Sequence, residues 1–416
     1  MKLALGLLIV LVLVFALARS ARADDKLKRA AAAAQLGDAS TAQALIAESL
    51  ARSDPQALLI AACDALNRAK GAEARVFIQR LEAVRPGAPE VAVLKILAAQ
   101  SDAGPEFHWL NRVVAALPEA KLAQLSPTIF TEPLSTSQPL TDAQLKAASG
   151  NGGFLVRLGA MGPVPSDALI DEALELSKAN LPPSVAIAVI TVLTDSKLAE
   201  ARQKGALAAA RQLLQRTAEK NPGTLYLQVW SVLLGTSDSE ALSASELDAL
   251  EKAVTAQDTS LPMPELFDEL ERAYERLPER GSAYELAWNT LFKLYPLSMH
   301  VVLLRRVKAT ATRGDAAATA RAAHVLAVVG RAFTTQRSIV ELNIGRGLLS
   351  TASELTHDGA LAAESGKAKA EFELLQRRTA ALRFIASFPF AGITRDLIAA
   401  NTHGEIAFLA RLPNVP

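Results

Sequence analysis

The side chains best suited to chemistry, histidine and cysteine, are few and scattered in this chain of 416 residues. No two of its five histidines are four residues apart; they are His108, His300, His324, His357 and His403. A zinc site needs three or four converging ligands, and the chain has a single cysteine to add. We therefore predict no metal site and no cofactor, and we expect surface or packing roles for the histidines.

Cys63 lies on the same helical stripe as Leu59, Ile60 and Leu66. A free cysteine among aliphatic neighbours usually behaves as a small hydrophobe, whereas a nucleophilic cysteine needs exposure and a basic partner. The sequence therefore favours burial of Cys63. The three tryptophans also lie in helical runs and are expected in the core; they are Trp109, Trp230 and Trp288.

The dipeptide Glu364-Ser365 is the strongest candidate for catalysis. It resembles the Glu-Ser pair of the lytic transglycosylases of the cell envelope, in which the glutamate protonates the glycosidic oxygen. The downstream Gly-Leu-Met-Gln segment of that family is absent, and too little chain follows Ser365 for a lysozyme-like domain. We therefore expect a helix-turn carboxylate and an N-cap serine here, and no catalytic residue.

Two further patterns have structural interpretations. The run Ser149-Gly150-Asn151-Gly152-Gly153 lacks the Gly-Lys-Ser/Thr ending of a phosphate-binding loop, so we interpret it as a turn. With three nearby prolines it predicts a Pro/Gly-rich linker over 126–165. Farther along, Asp268 and Arg272 have the spacing of an i, i+4 ion pair on a charged helix.

A regular interval of glycines and prolines indicates how these residues are positioned. Gly37, Gly71 and Gly104 are 34 and 33 residues apart, and the prolines after the apolar runs have similar intervals. A helix–turn–helix unit of about 34 residues is the period of tetratricopeptide solenoids. Helical stripes of apolar residues fill the intervals over 24–125.

The chain resembles the tetratricopeptide-repeat family most clearly at Leu36–Ala42, which is similar to the turn between that family's two helices. Ala74 and Pro86 keep the family's spacing of twelve, and Gly314-Asp315-Ala316 repeats the turn motif. Glu106 stands where that family has alanine. The resemblance implies an all-α, TPR-like solenoid whose first helices form a concave, protein-binding surface.

Beyond the linker, we predict a second helical repeat region over 166–334 and a C-terminal helical cap over 335–416. Ser166 is the expected N-cap of the first helix after the linker. Val185–Leu193 is β-branched enough for a strand, but its setting between helices favours a buried helix.

The N-terminal segment 1–23 predicts a secretory signal peptide. Lys2 precedes an uncharged apolar run and an Ala-x-Ala site at Ala21 and Ala23. The competing interpretation is an uncleaved inner-membrane anchor, because basic residues are more numerous after the apolar run than before it. The expected location is the periplasm or cell envelope, with membrane anchoring as the alternative.

The charge balance of 44 basic and 43 acidic residues offers no excess to neutralise phosphates, so no nucleic-acid partner is expected. Together these features predict a non-catalytic protein-binding scaffold or assembly factor of a bacterial-type cell envelope, with protein partners. The alternatives are an envelope hydrolase, for example a peptidoglycan-cleaving enzyme with a helical superstructure, and a structural subunit of a larger complex.

Overall fold

The structure is a computed structural model that describes most of the chain after residue 24. The described residues are 25–100, 108–122, 125–131, 134, 140–162, 164–195, 197–234, 236, 240–277, 282–294 and 298–413. The predicted signal or anchor segment 1–23 lies outside these ranges, as do Gly104 and Glu106.

The described residues form an all-α protein, in which the only extended pairing is an isolated bridge between Thr224 and Asp258. The helices are α1 (25–35), α2 (Ala39–Ala51), α3 (Pro55–Asn67), α4 (Gly71–Val84), α5 (Pro89–Ala99), α6 (Trp109–Glu119), α7 (Asp142–Ala147), α8 (Gly150–Gly159), α9 (Asp167–Leu176), α10 (Pro183–Leu193), α11 (Glu200–Lys220), α12 (Leu225–Leu233), α13 (Ala244–Ala253), α14 (Met263–Glu275), α15 (Ala283–Leu294), α16 (Ser298–Thr312), α17 (Ala316–Thr334), α18 (Ile339–Thr356), α19 (Gly359–Ala386) and α20 (Ile393–Ala410).

The chain divides into two compact units. Unit 1 comprises Met1–Thr136, Arg377–Ala399 and Leu409–Pro416, and unit 2 comprises Ser137–Gln376 and Ala400–Phe408. The N-terminal helices therefore share a unit with the end of the chain. The predicted cap over 335–416 is divided between the two units.

Four tight turns connect the first five helices of unit 1, and the first three share one hydrogen-bond pattern. Each turn has a left-handed residue with φ between 55° and 79°, namely Gly37, Ser53, Ala69 and Gly87. The next residue in each case is the N-cap of the following helix. At Gly37, Ser53 and Ala69 the left-handed residue lets the chain leave one helix while its amide still bonds to a carbonyl in the last turn of that helix. In the turn at Gly87, the Ala88 amide bonds to the Arg85 carbonyl instead.

These turns explain the sequence period. The left-handed residues follow each other at intervals of 16, 16 and 18, so two helices and two turns take about 34 residues. Gly71 is the first residue of α4, and Ala69 holds the left-handed position there. The spacing of the glycines therefore predicted the repeat length that the turns show, although Gly71 itself does not lie in a turn.

Helix α3 is the most buried element of the N-terminal array, with all residues from Ala57 to Leu66 buried. It packs against both α2 and α4, so apolar residues are required on nearly all its faces. Cys63 lies within this buried run. The prediction that Cys63 is buried is confirmed, and burial raises the pKa of its thiol well above the usual value.

In unit 2, Val185–Leu193 is helical, as predicted, and lies within the almost completely buried α10. Ser166 caps α9, also as predicted, by accepting a hydrogen bond from the Leu169 amide at 3.3 Å. The residues of α10 are apolar on nearly all sides of the helix, as expected for a helix without a solvent-exposed face. Its neighbours, which include α9, α11 and α14, enclose it.

The predicted turn at Ser149–Gly153 is wrong, because Gly150 begins helix α8. Gly150 does have the positive φ of 62° that a turn favours. The next glycines serve close packing instead: a Cβ on Gly152 would touch Ala273, and one on Gly153 would collide with the backbone of Ala148. The predicted linker region 126–165 thus contains two helices, α7 and α8.

Glycines also permit a close approach of α17 and α18 in unit 2. A Cβ on Gly345 would lie 2.6 Å from the Gly330 carbonyl oxygen and from the Thr334 amide nitrogen. Helix α18 therefore tolerates its glycines, because Gly345 allows close packing against α17. It begins after Ser338, which forms a capping box with Glu341.

Candidate functional site

A short non-helical segment, Ser387–Gly392, connects α19 to α20 and contacts the N-terminal helices within unit 1. The side-chain amide of Gln35, at the end of α1, donates to the Phe388 carbonyl at 3.4 Å, and the Gln35 carbonyl accepts from the Gly392 amide at 2.9 Å. The side-chain oxygen of Asn67, at the end of α3, accepts from the Ala391 amide at 3.3 Å. The ends of α1 and α3 therefore bind the backbone of this segment.

The aromatic side chains of the segment are completely buried. Phe390 stacks on Trp109 of α6, with ring centroids 4.2 Å apart and planes 9° from parallel. Phe388 stacks in turn on Phe390 at 5.8 Å. On Trp109, the guanidinium of Arg112 lies 4.6 Å from the ring centroid. Parallel, offset rings and a cation over the indole are each favourable, so the stack is stabilised along its length.

Polar contacts flank this stack at the surface. His108, the N-cap residue of α6, lies 3.1 Å from the Asp396 carboxylate through its Nδ1. Arg411 donates to Asn111 at 2.9 Å. The first contact joins the start of α6 to α20, and the second joins α6 to the residue that follows α20. Because they are exposed, they contribute less than the buried rings.

The sequence did not single out Gln35, Asn67, Phe388 or Phe390. The detectable signal was compositional: three of the 13 phenylalanines lie at 384, 388 and 390, around one proline. Their contacts with residues more than 300 positions earlier could not be predicted from local pattern. Trp109 and Trp288 were expected in the core and are partly exposed, whereas Trp230 is buried as predicted.

The other histidines occupy separate places in unit 2. His300 is half-buried with its ring edge-on to Phe333, and burial lowers its pKa to about 4. His324 is exposed on α17, and His357 is exposed in the left-handed conformation that ends α18. Among the described residues, no group of three His, Cys, Asp or Glu side chains is arranged to hold a metal ion.

Glu364 and Ser365 lie inside α19, so the predicted N-cap role of Ser365 is wrong. The Glu364 carboxylate forms a two-pronged ion pair with Arg331, at 2.7 and 2.9 Å. This pairing lowers the pKa of Glu364, whereas a general acid needs a raised one. Ser365 donates to the Arg346 carbonyl instead, at 3.1 Å.

The predicted ion pair between Asp268 and Arg272 is not formed. Arg272 binds the Glu269 carboxylate and the backbone carbonyl of Asp268. The Asp268 carboxylate lies 3.2 Å from Nε2 of His403. Spacing of four residues brought the two side chains to one face, but the neighbouring glutamate and a distant histidine were better placed to bind them.

Two carboxylates meet at the N-terminus of α18. The Glu341 carboxylate accepts from the Ser338 amide at 3.1 Å, and the Glu405 carboxylate accepts from the Ile339 amide at 2.9 Å. Burial is the main cause that raises the pKa of Glu405, and the negative charge of Glu341 adds to it. These acids satisfy amides that a helix start leaves without partners.

Replacing Glu405 by glutamine is expected to raise the Tm at pH 7 and to have a smaller effect at pH 4. A carboxyl group whose pKa is raised by folding binds its proton more tightly in the folded state than in the unfolded state. Its contribution to the free energy of unfolding is therefore fully present below the unfolded pKa and is lost as pH rises through the folded pKa. Glutamine keeps an oxygen for the Ile339 amide without the charge. Thermal unfolding of both proteins from pH 4 to pH 8 measures the difference; a difference independent of pH would contradict this account.

Many arginines that could form an anion-binding surface are used to cap helices. Seven arginines donate hydrogen bonds to backbone carbonyl groups at or near the C-terminal end of another helix: Arg75, Arg80, Arg112, Arg157, Arg211, Arg216 and Arg378. The last carbonyls of a helix lack internal partners and carry partial negative charge. These cations are therefore engaged in holding successive helices together.

One cavity of unit 2 that could admit a small molecule has a volume of about 390 Å³ and lies among α10, α11, α12 and α16. Its walls are mostly apolar, including Leu193, Trp230 and Met299, and Asp195 is the charged residue among the described lining. The Asp195 carboxylate accepts a hydrogen bond from the Lys197 amide at 2.8 Å. Such a cavity suits the binding of an apolar group. Its described lining residues do not place a general base beside a nucleophile.

Comparisons with known proteins assign no family: a scan against protein-family models gives no match, and a search of curated proteins finds no similar sequence. None of the described helices combines the length and apolarity needed to cross a membrane.

Proposed function

We propose that the protein is a non-catalytic protein-binding scaffold or assembly factor of a bacterial-type cell envelope, built as a TPR-like helix-hairpin solenoid. The observation that carries this proposal is the recurring turn of unit 1, with left-handed residues at 37, 53, 69 and 87. Successive helices joined at nearly constant intervals stack in a regular way and present repeated faces to a partner.

Two observations favour binding over the alternative of an envelope hydrolase. Glu364, the sharpest catalytic candidate, is paired with Arg331 and its pKa is lowered. His300, a candidate base, lies against Phe333 and has its pKa lowered to about 4 by burial. Neither group has the pKa that acid–base catalysis near neutral pH favours.

The envelope location rests on the sequence of residues 1–23. We propose export through a cleaved signal peptide, with anchoring in the inner membrane as the alternative. Sequencing the N-terminus of the mature protein separates the two. An intact Met1–Ala23 segment would exclude cleavage.

Recovery of a partner from envelope extracts tests the binding role. Val76 and Val84 are exposed on α4, with 54% and 41% of their surface accessible, so V76D/V84D alters a repeat surface without filling the core. We expect tagged full-length protein to recover a defined partner and V76D/V84D to lose it at least tenfold. The matched control V340D changes an exposed valine of unit 2 and should retain the partner.

Quantitative mass spectrometry of the recovered proteins measures this outcome. Reproducible recovery of no protein, or equal recovery by both variants and the unmodified chain, would contradict a binding surface on these repeats. Circular dichroism of each variant verifies that its helices are retained, so that loss of a partner is not mistaken for unfolding.

A further inference from the structure

The N-terminal helices of unit 1 bind the non-helical segment Ser387–Gly392 through its backbone as well as its side chains. Three backbone groups of the segment form hydrogen bonds with these helices: the Phe388 carbonyl, the Ala391 amide and the Gly392 amide. Their partners belong to only two residues, Gln35 and Asn67. Backbone contacts of this type fix the path of the bound segment whatever its side chains are.

Side-chain contacts add a preference for particular residues. Phe388 and Phe390 are fully buried, and Trp109 provides a flat surface for the second ring at 4.2 Å. Pro389 between them is buried as well, and its ring restricts the φ of the backbone between the two phenylalanines. The site therefore fits the sequence Phe-Pro-Phe, with two rings held in one stack.

The segment also reaches these helices from a distant part of the chain. Asn67 and Ala391 are 324 positions apart, and unit 2 takes up most of the chain between them. Unit 1 is thus assembled from an N-terminal array and two C-terminal pieces, of which Arg377–Ala399 contains this segment. The contacts between the pieces are of the kind that a binding site makes with a ligand.

Gly392 ends the bound segment in a conformation that limits what can follow. Its φ of 75° lies in the left-handed region, and its carbonyl accepts from the Asp396 amide as α20 begins. A glycine here lets the chain turn away immediately after its amide has bonded to Gln35. The recognised unit is therefore short, from Phe388 to Gly392.

We propose that α1, α3 and α6 form a recognition site for a non-helical Phe-Pro-Phe segment, which the chain fills with its own Phe388–Phe390. A separate segment of the same sequence binds there in trans when the internal rings are removed. This site does not depend on the envelope role proposed above, because it is defined by a known segment and not by an external partner.

The test uses full-length protein and a fluorescent peptide with the sequence of Ser387–Arg395. The F388A/F390A protein has the acceptor residues but lacks both rings in its own segment. We expect it to bind the peptide with one-to-one stoichiometry, at least tenfold more tightly than it binds a peptide carrying the same two alanines. Unmodified protein should bind neither peptide measurably, because its site is filled.

Two acceptor variants show whether binding occurs at this site. In the F388A/F390A protein, the further change Asn67→Ala should weaken peptide binding at least fivefold, while Asn180→Ala in unit 2 should leave it unchanged. If Asn67→Ala and Asn180→Ala weaken peptide binding equally, or if the unmodified protein binds the peptide tightly, the peptide binds elsewhere and the proposal is overturned.

A milder variant is used if F388A/F390A loses its helical circular dichroism. F390L keeps an apolar side chain but removes the ring that stacks on Trp109. Excess peptide should then raise its Tm, since a ligand that binds only the folded state stabilises it. Absence of both direct binding and this Tm shift would show that the contacts are ordinary internal packing.

Discussion

Replacing Gly159 by alanine is expected to lower the free energy of unfolding of unit 2 by about 3 kcal/mol, within the range for overpacking plus a disturbed buried hydrogen bond. Gly159 ends α8 against two buried hydroxyls, those of Tyr274 on α14 and Thr290 on α15. A Cβ at this position would overlap both oxygens. The neighbours must therefore move apart, or the hydroxyls must lose their contact.

Hydrogen bonds hold the Tyr274 and Thr290 hydroxyls in place, so neither can move away from the added methyl group without losing a partner. Tyr274 and Thr290 oxygens are 2.7 Å apart, and the Thr290 hydroxyl donates to the Leu286 carbonyl at 2.8 Å. The Tyr274 hydroxyl must therefore donate to Thr290. Burial raises the pKa of Tyr274 to about 12, so it keeps this proton throughout the physiological range. Displacing it would leave a buried polar group without a partner.

Thermal and urea unfolding of Gly159→Ala measures the effect, and we expect a Tm lower by roughly 6–12 °C for a unit of this size. The matched control is Gly205→Ala on α11, where no atom lies within 4 Å of the added Cβ. That change should stabilise the helix slightly, by up to about 1 kcal/mol. Equal effects at the two glycines would show that α8 does not pack tightly.

A second substitution separates steric overlap from a simple loss of helix propensity. Removing the Tyr274 hydroxyl in Gly159→Ala/Tyr274→Phe frees space beside the new methyl group. We expect the double variant to recover at least 1 kcal/mol relative to the sum of the single effects, as is usual for residues in contact. Strict additivity would contradict direct contact between these residues.

The all-helical fold could be predicted because apolar periodicity and turn residues are local signals. The run Val185–Leu193 shows the limit of residue propensity: its β-branched residues favour a strand, but enclosure by other helices determines the result. The glycines of 150–153 show the same limit in reverse. They suggested a turn, and their small size serves the packing of α8 instead.

The recognition site could not be predicted for a different reason. Gln35 and Asn67 are ordinary residues at helix ends, and what matters is their distance from a segment more than 300 positions away. Such contacts depend on how the whole of unit 1 is assembled. The sequence could indicate only that phenylalanines cluster around Pro389, without indicating which helices would cover them.

The second large effect is expected at Glu246, whose replacement by glutamine should cost about 3 kcal/mol at pH 7 because it leaves a buried cation unpaired. Arg306 on α16 is only 2% exposed and donates to both carboxylate oxygens of Glu246, at 2.8 and 2.9 Å. It also donates to the carbonyls of Glu240 and Ala241. One guanidinium thus fixes the segment that leads into α13.

The cost should depend on pH in a defined direction. Hydrogen bonds from Arg306 are the largest cause that lowers the folded pKa of Glu246 from 4.5 to about 2. A carboxyl group whose pKa is lowered by folding stabilises the protein fully above its unfolded pKa and loses this contribution as pH falls through the folded pKa. The difference between Glu246→Gln and the unmodified protein should therefore shrink between pH 4.5 and pH 2.

Urea unfolding at several pH values measures this difference directly. Glu251→Gln is the matched control, because Glu251 also pairs with an arginine, Arg321, but at the protein surface, where an ion pair contributes little. A second comparison replaces both buried partners, as Glu246→Gln/Arg306→Met. If the penalty comes from an unpaired buried charge, this double variant should be more stable than Glu246→Gln alone. A double variant that is less stable would mean that the carbonyl contacts of Arg306, and not its charge pairing, hold α13 in place.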